Sequence, residues 1–132
     1  MNKKKFVVGW SVVVGSMDSL TGLLLVVAPA FVLSLLGIAP PSADALVFLS
    51  WIGVFVAGVG LSYALALGDW RRGKAVWMVT ALVRTLVAMF VAWRIDDGSL
   101  PPAWAAVALT DLVVAVVQAA VIRAGWWEEA RR

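Results

Sequence analysis

Asp18, Arg84 and Asp111 are the residues whose types and places could do chemistry, because each lies near the centre of a long apolar segment. A charge at mid-membrane costs about 2.5–3.5 kcal/mol on insertion scales, so it usually faces a partner or a cavity. Arg84 and Asp111 can form an ion pair with bidentate hydrogen bonds. Asp18 can share the same guanidinium or hold a proton. Two acids for one base leave a surplus carboxylate and hence a candidate protonatable site. A fixed ion pair that sets helix register and a working site remain equally compatible with Arg84 and Asp111.

Much other chemistry is missing. The chain has no His and no Cys, which removes disulfides, zinc sites, thiolate nucleophiles, His-ligated haem and Ser-His-Asp triads. No phosphate loop and no acid pair with a nucleophile is visible. An enzyme is therefore the weakest reading, no catalytic residue is assigned, and no cofactor is identified. The basic residues cluster at segment ends, where topology requires them, so the net charge of +3 is no nucleic-acid signal.

Several neutral residues accompany the charges. Ser11, Gly15, Asp18 and Gly22 form one helical stripe. Thr80 lies one turn from Arg84, and Gln118 shares a face with Asp111. Ser50, Gly53, Ala57, Gly60 and Ala64 make a small-residue stripe with Tyr63 nearby. Small stripes let membrane helices approach closely, and Ser, Thr and Gln hydrogen-bond across them. Packing is the expected role of the stripes, and bundle hydrogen bonding that of Thr80, Gln118 and Tyr63. Trp51 is expected to be buried at mid-span beside Ser50, either packing or lying over Arg84 as a cation–π partner, with a ligand platform as the alternative.

The elements that position these residues follow from composition. Of 132 residues 63% are hydrophobic and 14% charged, against about 25% charged in soluble domains. The excess apolar surface must face lipid. A helical span needs about 20 residues, and four segments qualify, over approximately 6–28, 43–67, 74–93 and 103–124. They form a single integral membrane domain. Pro40 and Pro41 stop what precedes them, Ser42 caps the second helix, Gly68–Lys74 reads as a tight polar turn, and Asp96–Pro102 breaks the third helix. Pro29–Gly37 reads as a short interfacial helix or a kinked extension of the first span, since Pro29 disfavours helix at Ala28. The start of the chain imitates a cleavable signal peptide, but Ser16, Asp18 and Ser19 interrupt the apolar core. A retained span is expected.

Counting about 1.5 Å per residue puts Asp18, Arg84 and Asp111 at one depth, about 13–15 Å below the outer face. Ser50 and Trp51 fall at the same level. Consecutive helices joined by a short loop pack side by side and antiparallel, which lets Arg84 meet Asp111. Lys3, Lys4, Lys5, Arg71, Arg72, Lys74, Arg123, Arg131 and Arg132 lie on one side of this map, and Arg94 alone on the other. The positive-inside rule then places both termini in the cytoplasm. Trp10, Trp70, Trp77, Trp126 and Trp127 are expected in an aromatic belt at that face, and Trp93 and Trp104 at the other. The terminal Trp126–Arg132 stretch is expected to be an interfacial anchor and solvated tail.

Three segments, TGLLLVVAPAFVLSLLG, WIGVFVAGVGLSYALALGDWR and ALTDLVVAVVQAAVIR, resemble the small four-span bacterial membrane proteins grouped as DoxX-like. The similar elements are the Pro-broken end of the first span, the Gly-rich second span and the acidic residue early in the fourth. The resemblance implies a bacterial inner-membrane protein, with quinone-linked respiratory enzymes as associates of some members. It carries no catalytic residues over.

The expected fold is an all-α, antiparallel bundle of four transmembrane helices with a short interfacial segment after the first. The expected function is that of a small inner-membrane accessory or binding protein whose polar layer accepts a lipid-like or quinone-like molecule. The alternative is an oligomeric proton-coupled transporter or channel that uses Asp18 or Asp111. Membrane lipids are the expected partners, with a homo-oligomer or a larger membrane complex open and nucleic acid excluded.

Overall fold

The computed structural model describes residues 2–130. They form α1 (Lys3–Val27), α2 (Pro29–Leu35), α3 (Ala43–Gly68), α4 (Trp70–Asp96), α5 (Ala105–Arg123) and α6 (Trp126–Ala130). A 3₁₀ turn at Pro102–Trp104 leads into α5. No strand occurs among the described residues. The expected all-α bundle is present, and four helices are long and apolar enough to cross a membrane, the mark of a membrane protein.

Local chemistry sets the helix ends. The Asn2 side chain accepts from the Lys5 N–H at 3.1 Å and opens α1. The residue before a proline avoids the helical region, and Ala28 accordingly sits at φ −148°, ψ 59°. Pro29 then begins α2 as its first residue, where no N–H is missed. The ambiguous segment is thus a separate helix rather than an extension of α1. It closes on Gly37 at φ +70°, with Gly37 N–H donating to Ser34 and Ile38 N–H to Leu33, both at 3.0 Å. A left-handed glycine with this pair of bonds is a standard helix stop.

The polar turn expected at Gly68–Lys74 shrinks to one residue. Asp69 N–H donates to the Leu65 carbonyl at 3.1 Å and ends α3. Its carboxylate accepts from the Arg71 N–H at 2.9 Å and begins α4. An Asp N-cap serves an orphan donor of the new helix, so Arg71, Arg72 and Lys74 are helical rather than loop. At the other end of α4, Asp97 accepts from the Ser99 hydroxyl and from its N–H, the latter at 2.9 Å. These two bonds hold the Asp97 carboxyl below the ordinary carboxylate range.

The helices pack as two close pairs, α1 with α3 and α4 with α5, joined by contact between α3 and α4. The first pair is built on glycine. A Cβ on Gly22 would lie 2.6 Å from the Gly53 carbonyl oxygen, and one on Gly60 would lie 2.7 Å from the Gly15 carbonyl oxygen. Ala64, expected in this stripe, is exposed, and Tyr63 points inward instead. A helix turns about 100° per residue, so the face that starts at Gly53 reaches Gly60 and then Tyr63. The rest of α3 presents Phe48, Trp51, Phe55, Leu61 and Leu65 outward. An apolar surface this continuous suits lipid contact. Between α1 and the α4–α5 pair there is no extended close approach of backbones. Side chains bridge that seam.

Two tryptophans depart from the expected belt. Trp77 is completely buried and Trp127 is 2% exposed. Their rings meet edge-on at 5.3 Å between centroids, and Trp70 lies 5.2 Å from Trp127. Gly73 makes room, because a Cβ there would fall 2.5 Å from the Trp127 ring. The end of the chain is therefore no solvated tail through Ala130: α6 folds against α1, α4 and α5. Lys3–Glu129 and Lys74–Glu128 ion pairs, both 2.5 Å, flank it. Both are well exposed and add little, so Trp127 holds α6 in place. Arg131 and Arg132, which contributed to the topology count, lie outside the described residues.

Trp127→Ala is expected to release α6 while α1–α5 stay folded. Limited proteolysis should then show cleavage after Arg123 rising at least about ten-fold, equivalent to about 1.4 kcal/mol of lost docking. Unchanged cleavage would place the hold on α6 elsewhere.

Candidate functional site

The three charges meet. Arg84 donates through Nη2 to Asp18 Oδ2 and through Nη1 to Asp111 Oδ1, the latter at 2.5 Å. Each terminal nitrogen serves a different carboxylate. Of the two places expected for Asp18, the shared guanidinium is the one observed, and Arg84 bridges α1 to α5 instead of gripping Asp111 with both nitrogens. This follows from placing two acids on either side of one flat cation, whose donors point in fixed directions. The Arg84 and Asp18 side chains keep 6% and 9% of their surface, whereas that of Asp111 keeps 16%. The layer thus has a closed side at Asp18 and an open edge at Asp111.

The neutral residues continue the layer toward the end of the bundle that carries Lys3 and α6. Gln118 Nε2 donates to the Tyr63 hydroxyl at 2.9 Å and to Thr80 Oγ1 at 3.2 Å. The Tyr63 hydroxyl donates to Thr80 Oγ1 at 3.3 Å. Thr80 Oγ1 in turn donates to the Trp77 carbonyl, and Trp77 Nε1 donates to Ser11 Oγ at 3.0 Å. Gln118 and Ser11 are fully buried, and Tyr63 and Thr80 nearly so. Thr80, Gln118 and Tyr63 therefore belong to one network with side chains from α1, α3, α4 and α5. A buried polar group without a partner costs about 1–3 kcal/mol, which accounts for this mutual satisfaction. Four buried side-chain atoms have no hydrogen-bond partner among the described residues: Arg84 Nε and Gln118 Oε1 in the layer itself, and the indole nitrogens of Trp10 and Trp127.

Two expected members are elsewhere. Trp51 is 59% exposed on the outer face of α3, with Phe48 and Phe55 as ring neighbours at 6.5 and 6.0 Å. It is neither buried nor over Arg84. Its depth differs as well: Gly60, which packs beside Ser19 and Gly15, marks the level of Asp18 on α3, and Ser50 and Trp51 lie nine or ten residues from it, about 13–15 Å along the axis. Gly53, two residues on from Trp51, occupies the inward face, and two residues turn a helix by about 200°. Ser50 is half-buried and makes no side-chain hydrogen bond among the described residues. Trp77, expected in the aromatic belt, is instead a member of the network. The signal was present: Trp77, Thr80 and Arg84 are spaced i, i+3, i+7 and so share one helix face.

What this arrangement can do is bounded by its groups. With both acids ionised the layer carries one net negative charge, and one added proton neutralises it. The open edge of Asp111 can accept a hydrogen bond from a molecule arriving at the outside of the bundle. The hydroxyls of Tyr63 and Thr80 are held by each other and by the Gln118 amide. No family model, no curated protein and no solved structure matches this chain.

Proposed function

We propose that this chain is a small accessory or binding protein of the bacterial inner membrane. It is an antiparallel four-span bundle with both termini in the cytoplasm and α2 at the outer interface. Its Asp18–Arg84–Asp111 layer receives the polar end of a lipid-like or quinone-like molecule from the bilayer. The observation that supports this most is the asymmetry of the layer: Asp18 and Arg84 are sealed, while Asp111 keeps an open edge amid exposed apolar residues such as Leu109 and Leu112. A hydroxyl would donate to Asp111, and apolar contacts would hold the remainder. The DoxX-like resemblance agrees with this reading.

Extraction and mass spectrometry of the purified protein test it. The wild type is expected to retain an amphipathic small molecule, and Asp111→Leu is expected to retain at least about ten-fold less, the loss of one hydrogen bond to a charged group. Equal retention by both, or no retained molecule, would remove the binding role.

The surplus acid supports a second reading, an oligomeric proton-coupled transporter in which Asp18 or Asp111 carries the proton. One four-helix bundle is too slim to enclose a wide path, so a homo-oligomer or larger complex would complete it. Proton flux into liposomes that falls in Asp18→Asn and Asp111→Asn would favour this reading. No flux from the wild type under several solutes would end it.

A further inference from the structure

The end of the bundle that carries the start of α1 has more cations than anions, and its acids are already taken. Glu129 pairs with Lys3, Glu128 with Lys74 and Asp69 with Arg72. Lys4 and Lys5 have no carboxylate partner among the described residues. Both border an open groove of about 430 Å³ lined by Asn2, Lys4, Lys5, Val8 and Gly9. One end of the groove is cationic, and the other is apolar and continues onto the exposed Val12 and Val13.

Gly9 is the second observation. Glycine inside a helix costs about 1 kcal/mol relative to alanine. In α1, Gly15 and Gly22 have a reason, since α3 packs against them, but a Cβ on Gly9 would meet nothing within 4 Å. No described neighbour requires its bareness, a trait it shares with Gly58 of α3, but Gly9 alone of the two borders a groove with cations. The missing side chain instead leaves the apolar part of the groove open beside Val8. Lys4 Nζ also lies 5.7 Å from the Trp70 ring centre, and tryptophan beside lysine is typical of the depth where lipid headgroups begin.

We infer that this groove binds one anionic phospholipid, its phosphate between Lys4 and Lys5 and its first acyl methylenes along Gly9, Val8 and Val12. Charge complementarity selects the occupant: two ammonium groups without a carboxylate partner among the described residues, beside an apolar trough, fit a lipid with net negative charge and disfavour a zwitterionic one. The inference rests on the membrane reading of the chain and is independent of the polar layer, because Asp111→Leu leaves the groove unaltered.

The test titrates phosphatidylglycerol or phosphatidylcholine into the detergent-purified full chain and counts bound lipid by native mass spectrometry. Phosphatidylglycerol is expected to be retained and phosphatidylcholine not. Lys4→Gln and Lys5→Gln should each lower retention about five-fold, the effect of one cation near a lipid surface. Gly9→Leu keeps every charge, fills the trough and meets no steric conflict, and it should lower retention by a similar factor. Arg123→Gln, a cation of the same end outside the groove, should lower it less. Equal retention of the two lipids, wild-type retention by Gly9→Leu or by the lysine variants, or an equal loss in Arg123→Gln would each overturn the inference. Helical content and monodispersity of each variant confirm that it is folded.

Discussion

Arg84→Leu is expected to destabilise the bundle by about 3–5 kcal/mol, the cost of leaving a buried charge without its partner. Here one cation serves two acids, Asp18 and Asp111, so its loss strands both. Their surroundings offer no replacement. The nearest buried polar side chains, Tyr63, Thr80 and Gln118, are already bonded to one another. Unfolding by denaturing detergent, followed by helical signal, reads the effect. The informative contrast is the triple variant Asp18→Leu/Arg84→Leu/Asp111→Leu. Replacing a buried ionic group by apolar residues is often neutral or stabilising, so the triple variant should recover most of the loss. Recovery would make the layer dispensable for folding and leave function as the reason for its presence. Arg84→Leu at wild-type stability would show that the buried layer contributes nothing to the fold.

The second large effect lies between α1 and α3. Gly22→Leu is expected to cost about 3 kcal/mol, at the upper end of overpacking penalties. The obstruction is backbone: a Cβ on Gly22 already conflicts with the Gly53 carbonyl oxygen and with the backbone of Ala57. A flexible side chain could move aside, whereas a helix carries its whole pair with it. Separation of α1 from α3 would also draw Asp18 away from Arg84, so the loss should exceed that of Gly58→Leu, where a Cβ meets nothing within 4 Å. Comparable unfolding curves for the two variants would exclude close packing at Gly22 as a determinant of the fold.

The polar layer was legible in the sequence to an unusual degree because depth is a local quantity. Counting residues from each apolar segment's end placed Asp18, Arg84 and Asp111 together, and they meet on three helices. Which atoms meet was not legible. The division of the guanidinium between Asp18 and Asp111 depends on how α1 and α5 flank α4, a relation between segments remote in the chain. Orientation about each helix axis was harder still. α1 declares its inner face through Ser11, Gly15, Asp18 and Gly22, all of which are buried. α3 is apolar nearly all round, and its glycines lie on both faces, Gly53 and Gly60 inward and Gly58 outward, so nothing in its sequence marks Trp51 and Ala64 as the exposed residues they are. Tryptophan carries a similar ambiguity, being suited both to a membrane interface and to a core with a partner for its N–H. Trp77 has that partner in Ser11, and Trp127 has its space in Gly73.

By itself, then, the sequence determined four apolar helices, the break before Pro29 and one depth for the three charges. Hydropathy, capping and helical rise act within a segment, and each can be read along it. Only the tertiary structure decided that Arg84 bridges two acids, that Trp51 faces outward, and that α6 closes onto Trp77 rather than trailing free. Those outcomes depend on which surfaces meet, and where glycine has removed a side chain to let them.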